Sequence, residues 1–120
     1  MNKREIWKPI KGYEGLYAIS SFGRIKSFIY HRGSHERILK PRKVKDGYLM
    51  VALYKNKIRK NYQIHQLVAK SFIENPNNFN EINHKDFDKT NNCISNLEWI
   101  DHYSNILHYR NKFNKERRFV

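Results

Sequence analysis

The stretch from Asn83 to His108, NHKDFDKTNNCISNLEWIDHYSNILH, gathers side chains that accept protons and offer oxygen lone pairs. His84 is of the one type whose ordinary titration range lies close to neutral pH, so it can take a proton from water under physiological conditions. Asn83, Asp86, Asp88, Asn96 and Asn105 carry oxygens, the atoms that hard divalent cations accept. A base beside oxygen donors suits hydrolysis of a phosphodiester. That reaction needs an attacking water, stabilised charge on the phosphate and a neutralised leaving oxygen.

These residues need elements that bring them together. Leu97 and Trp99 alternate with polar neighbours, as on a half-buried strand. Residues 86 to 92 favour a turn, because Asp and Asn bond their own backbone. Asp101 can cap a helix on which Tyr103, Ile106, Leu107 and Phe113 recur at roughly helical spacing. The local expectation is a short hairpin backed by a helix, with His84 at the end of one strand and Asn105 one turn into the helix.

At these residues the chain resembles the HNH endonucleases, in particular the small homing-type branch of phages and group I introns. The branch's core reads Asn/Asp-His-x-Asp, Asn-Asn, Asn-Leu-Glu-Trp, then a helix with Asn-x-x-His. The matching pieces here are Asn83-His84-Lys85-Asp86, Asn91-Asn92, Asn96-Leu97-Glu98-Trp99 and Asn105-Ile106-Leu107-His108. Four pieces in order and at compatible spacing are specific; one alone is weak. The resemblance implies His84 as general base, Asn83 and Asn105 at the metal-ligand positions, and Asn96 as a catalytic-centre residue that ties the loop and orients the base. It implies one Mg²⁺ or Mn²⁺ ion per site.

Two positions depart from the pattern. Some relatives have Asp before the base, where this chain has Asn83, and many have His as the last ligand, where it has Asn105. A site without a carboxylate ligand would hold a hard cation loosely until DNA phosphate arrives. The Gly common after Asp86 is replaced by Phe87, which should alter the turn locally. Asp86 is expected to cap the loop through backbone N–H groups. For His108, phosphate contact and packing against the hairpin both stand open. A structural zinc is not expected, since Cys93 is the one cysteine and no zinc-finger spacing of ligands is present.

Composition points to the partner. Lys and Arg outnumber acids 24 to 11, for a net charge of +13, which favours a polyanion such as DNA. Hydrophobic residues make up 39% and aromatics 14%, so the core is modest and leans on Tyr, Phe and Trp. The lone cysteine excludes an internal disulfide. No apolar run approaches a membrane span and the N-terminal residues lack a signal-peptide hydrophobic region, so a cytoplasmic protein is expected, in a host cell if phage-encoded. No small-molecule cofactor is implied.

Earlier in the chain, residues 5 to 28 suggest a small antiparallel hairpin with its turn at Ser21-Phe22-Gly23. Trp-x-x-Ile, Gly-Tyr-Glu, Tyr-x-Ile-Ser and Gly-Arg-Ile within it resemble the short DNA-binding motif that often precedes HNH modules. Trp7, Tyr13 and Tyr17 are expected in the core. Arg24 and Lys26 read equally as phosphate contacts or a solvated basic face. Residues 29 to 43 form a basic loop or irregular hairpin in which Arg32, Arg37, Lys40, Arg42 and Lys43 could follow a phosphate backbone. A second hairpin spans 47 to 65 with its turn at Lys55-Asn56-Lys57, and a helix follows over 65 to 73, limited by Pro76. His65 is expected to pack or hydrogen-bond. The basic tail leaves no residues for the helix-turn-helix that larger relatives add, so either specificity is relaxed or it would come from the N-terminal hairpins, a dimer partner or a missing segment.

The expected fold is α+β: an N-terminal antiparallel β region over residues 1–62, then a helix and a ββα-metal (HNH, His-Me finger) nuclease module over 63–120, the two able to pack as one domain. The expected function is divalent-metal-dependent cleavage of DNA, nicking one strand as a monomer, with a homodimer as the route to double-strand cutting. The rival reading is a basic DNA- or RNA-binding module that keeps the fold without the chemistry.

Overall fold

The computed structural model describes residues 4–29 and 35–117, with side chains of the last helix described as far as Lys112. Among the described residues, nine short strands and two α-helices follow one another as an α+β chain. Strands β1 (Trp7–Pro9), β2 (Tyr17–Ser20), β3 (Ile25–Ser27) and β4 (Arg37–Ile38) form one antiparallel sheet in that order. Strands β5 (Arg42–Lys43), β6 (Leu49–Lys55) and β7 (Ile58–Gln63) form a second, and β8 (Glu81–His84) pairs with β9 (Leu97–Ile100) in a third. Helix α1 runs Ile64–Phe72 and helix α2 His102–Arg117. Among the described residues no helix is long and apolar enough to cross a membrane.

Turn chemistry explains the strand boundaries. The β6–β7 turn is the pair Asn56-Lys57, both left-handed at φ 53° and 64°, the conformation of a tight two-residue hairpin. It starts one residue later than the turn Lys55-Asn56-Lys57 read from sequence and ends at the same residue. The basic segment 35–43 is neither a plain loop nor a hairpin of its own. Its two short strands pair with different neighbours, β4 with β3 and β5 with β6. Pro41, which has no N–H to give a ladder, stands between them.

Helix α1 sits at the centre. It follows β7 without a loop and contacts β2, β6, β7, β8 and β9. Ile64, His65, Leu67, Val68 and Ala69 are buried on its inner side, with Leu53, Val51, Ile19, Ile25, Tyr13, Tyr17 and Leu97 packed around them in one cluster. Full burial of an aliphatic side chain such as Ile19, Leu53 or Val68 contributes roughly 1.5–3 kcal/mol. Sequence from both halves therefore shares a single core.

One expectation about apolar residues needs correction. Tyr13 and Tyr17 are core residues, joined edge-to-face, but Trp7 is only half-buried. Its ring lies under Lys26 Nζ, 4.3 Å from the centroid, and near the Arg24 guanidinium, so a cation–π contact takes the place of core packing. On α2, Tyr103, Ile106 and Leu107 face outward and are exposed. Asp101 caps this helix, accepting from the Ser104 N–H and hydroxyl at 2.8 Å each. The side turned to the hairpin carries polar residues instead, Asn105 and His108.

Candidate active site

The β8–β9 hairpin sets out the side chains by its pleat. Asn83 lies opposite Glu98, and His84 opposite Leu97. A period of two puts Glu81 and Asn83 on one face and Ile82 and His84 on the other. On the first face, Asn83 donates its Nδ2 to Glu98 Oε1 at 3.1 Å. Helix α2 crosses there, and Asn105 donates its Nδ2 to Glu81 Oε1 at 2.9 Å. Glu81 also meets His102 Nδ1 at 2.6 Å, and the Asn105 amide, then His102, hold its carboxyl below the usual range.

Both amides thus give their N–H end to a carboxylate. Both keep Oδ1 buried with no partner among the described residues. A stranded buried oxygen costs about 1–3 kcal/mol, so two of them on one hairpin–helix junction call for a ligand. Amide oxygens are hard donors suited to a divalent cation, and a carboxylate on the far side of each amide fixes its orientation and enriches its oxygen. The donor set fits such an ion. Among the described residues no group of three His, Cys, Asp or Glu side chains is placed to hold a metal ion.

His84 occupies the other face and is almost wholly buried. Its Nε2 lies 2.8 Å from Asn92 Oδ1. An amide oxygen only accepts, so the neutral ring carries its hydrogen on Nε2 and keeps the Nδ1 lone pair free. Tyr48 and His65 wall the ring, with centroids 5.9 Å and 5.2 Å away. Burial, then the neighbouring His84, pushes the His65 imidazole down to about 4, which keeps it neutral at physiological pH.

Asn96 ties the intervening loop. Its Oδ1 accepts from the Asp86 N–H at 3.0 Å, and its Nδ2 donates to Asp86 Oδ1 and to the Asn91 carbonyl, each at 2.9 Å. Asp86 also accepts from Asn91 Nδ2 and the Asp88 N–H, which, led by the Asn91 bond, hold its carboxyl below the usual range. Phe87 is left-handed at φ 67°, a conformation that glycine adopts without strain. Its ring stacks on His108 at 4.2 Å. His108 therefore packs on the loop, with Nε2 buried and unpartnered.

The expected phosphate contacts are dispersed. Arg37, Lys40, Arg42 and Lys43 are exposed on and between β4 and β5. Arg24 makes a two-pronged ion pair with Glu5, and Lys26 lies 3.7 Å from Glu36. Arg32 lies outside the described residues. Sequence reasoning missed Asn92, Glu81, Glu98 and Tyr48. Glu98 stood inside the quoted Asn-Leu-Glu-Trp piece, and Glu81 two residues before Asn83, where strand periodicity could have found it. Nothing local marked Asn92 or Tyr48 as neighbours of His84.

The chain is similar in sequence and in fold to known proteins. Residues 5–54 match the NUMOD4 motif. The chain is 42% identical over 93 residues to an uncharacterized HNH endonuclease, L245, of Acanthamoeba polyphaga mimivirus, covering 78% of this chain and 27% of that protein. It is 38% identical over 100 residues to the DNA endonuclease I-HmuI of Bacillus phage SP01, covering 83% of this chain and 55% of that one. A solved structure of the HNH homing endonuclease I-HmuI, described for DNA binding and cleavage, superposes with a TM-score of 0.78 at 33% identity, over 95% of this chain and 65% of that one. The chain spans about half or less of the length of these two curated relatives.

Proposed function

We propose, from the premise that this chain is a homologue of the HNH homing endonucleases with a NUMOD4 motif over residues 5–54, that it is a DNA endonuclease hydrolysing phosphodiester bonds. The observation that carries this reading is the pair of stranded amide oxygens on Asn83 and Asn105, with the next residue in the strand, His84, bound through Nε2 to Asn92. In this reading, Nδ1 of His84 removes a proton from the attacking water, and Asn92 steadies the ring as it becomes charged. Asn83 Oδ1 and Asn105 Oδ1 would hold a divalent ion, Mg²⁺ or Mn²⁺, which when bound would supply stabilisation of the negative charge that develops during hydrolysis. Asn96 keeps the loop closed so that His84 stays in register. Arg37, Lys40, Arg42 and Lys43 bind the backbone away from the scissile bond, a salt-dependent contribution.

With one such site, the chain nicks one strand. End-labelled duplex products test the chemistry. A single cut strand ending in 3′ hydroxyl and 5′ phosphate, formed with Mg²⁺ or Mn²⁺ and not with EDTA, is the expected result. Products ending in 3′ phosphate would contradict it. Tight DNA binding without cleavage in any metal would favour the inert binding module.

A further inference from the structure

We infer that the β2–β3 turn, within the NUMOD4 segment, is a working part of the catalytic centre: Gly23 seats Asn92, and Asn92 holds His84 in its Nε2–H form. The inference rests on the endonuclease reading and extends it to residues beyond the proposed base and cation ligands.

The turn is closed by its own bonds. The Gly23 N–H donates to the Ser20 carbonyl at 3.0 Å, and Ser20 Oγ accepts from the N–H groups of Phe22 and Arg24. It abuts the segment after the nuclease loop, where the Ile94 N–H donates to the Ser21 carbonyl at 3.0 Å. Gly23, at φ 86°, lies so close to Asn92 that an added Cβ would stand 2.8 Å from Asn92 Cβ and 3.0 Å from its carbonyl oxygen. Much of what it meets is backbone, which cannot swing aside as a long side chain does.

Asn92 is almost wholly buried, and its Nδ2 has no partner among the described residues. One contact therefore orients the amide, the 2.8 Å bond from His84 Nε2, and the position of residue 92 decides whether that bond forms. Gly23 and Asn92 are positioning residues, acting on the reaction through the imidazole. A hydrogen-bond partner on one ring nitrogen selects the tautomer and thus which nitrogen is left to act as base.

The test uses ¹⁵N-histidine spectra of the full chain, which report tautomers, beside cleavage kinetics. Wild type should show neutral His84 as the Nε2–H form. Asn92→Ala and Gly23→Ala should each give mixed tautomers and lower kcat about tenfold or more, with KM and DNA affinity within about twofold. The double variant should be no slower than Asn92→Ala. Gly12→Ala is the control, since Gly12 has φ 87° but open space where a Cβ would stand, and it should keep wild-type spectra and kcat. A pure Nε2–H signal in Gly23→Ala would overturn the inference, as would a loss confined to DNA affinity. Wild type that does not cleave would overturn the endonuclease reading, and the spectra would still decide the linkage. Should Gly23→Ala fail to fold, Asn92→Ala carries both readouts with the turn intact.

Discussion

Replacing His65 with Phe should remove a measurable part of the protein's acid sensitivity. His65 is buried between the Tyr48 ring at 4.9 Å and the His84 ring at 5.2 Å, and its Nδ1 has no partner. Burial, with His84 adding to it, pushes its imidazole from the ordinary 6.5 down to about 4. Between those values the unfolded chain binds a proton at this residue and the folded chain does not. Stability therefore falls as pH drops through this window, and the loss is complete below about 4. Each pKa unit corresponds to about 1.4 kcal/mol, so the loss is about 2 kcal/mol by pH 5 and approaches about 3 kcal/mol at the acid end. Glu5, Glu81, Asp86, Asp88 and Asp101, whose folded values are lowered, stabilise the fold above their unfolded range and lose that contribution at still lower pH. They are common to wild type and variant. Urea unfolding at pH 7.5, 6 and 5 measures the difference, with Phe preserving a ring in the Tyr48 stack. The expected outcome is a gap between wild type and His65→Phe that narrows in the variant's favour by about 2 kcal/mol from pH 7.5 to 5. A pH-independent gap would refute the argument that His65 is buried neutral.

Other perturbations test separate parts of the structure. Asn96→Ala strands the Asp86 N–H and the Asn91 carbonyl and should cost about 2–4 kcal/mol in urea unfolding; a loss below about 1 kcal/mol would contradict its role as the loop tie. Asn83→Asp adds a charged oxygen at the proposed cation site but sets it against Glu98. Calorimetry should show Mn²⁺ binding at least about tenfold tighter, together with a metal-free Tm below wild type; unchanged Mn²⁺ affinity would argue against Asn83 as a ligand. Lys57→Gly relieves a left-handed non-glycine residue in the β6–β7 turn and should raise stability by about 0.5 kcal/mol, whereas a lower Tm would show that the turn is not strained.

The hairpin–helix core was readable because its signals are local. Strand alternation around Leu97 and Trp99, the Asp86 to Asn92 turn and the Asp101 cap each act within a few residues. Which side of α2 faces outward was not legible, for a physical reason. Tyr103, Ile106 and Leu107 have the spacing of a buried stripe, but the Asp101 cap starts the helix so that Asn105 meets Glu81 and His108 meets Phe87. Polar and aromatic contacts at the junction decide which side faces inward, and hydropathy does not register them. Trp7 was assigned to the core by its type, yet Lys26 and Arg24 cover it at the surface. Asn92 was quoted as a motif letter without a task. Its task depends on a turn seventy positions earlier, which no local pattern encodes.

The central claim is tested most directly on supercoiled plasmid and a pool of random-sequence duplex, with Mg²⁺, Mn²⁺ or EDTA, for wild type and His84→Ala. The account expects nicked product from wild type only when a divalent ion is present. It expects His84→Ala to bind DNA as wild type does and to leave it intact. Cleavage that persists in His84→Ala, or wild type that binds both substrates and cuts neither in any metal, would contradict it.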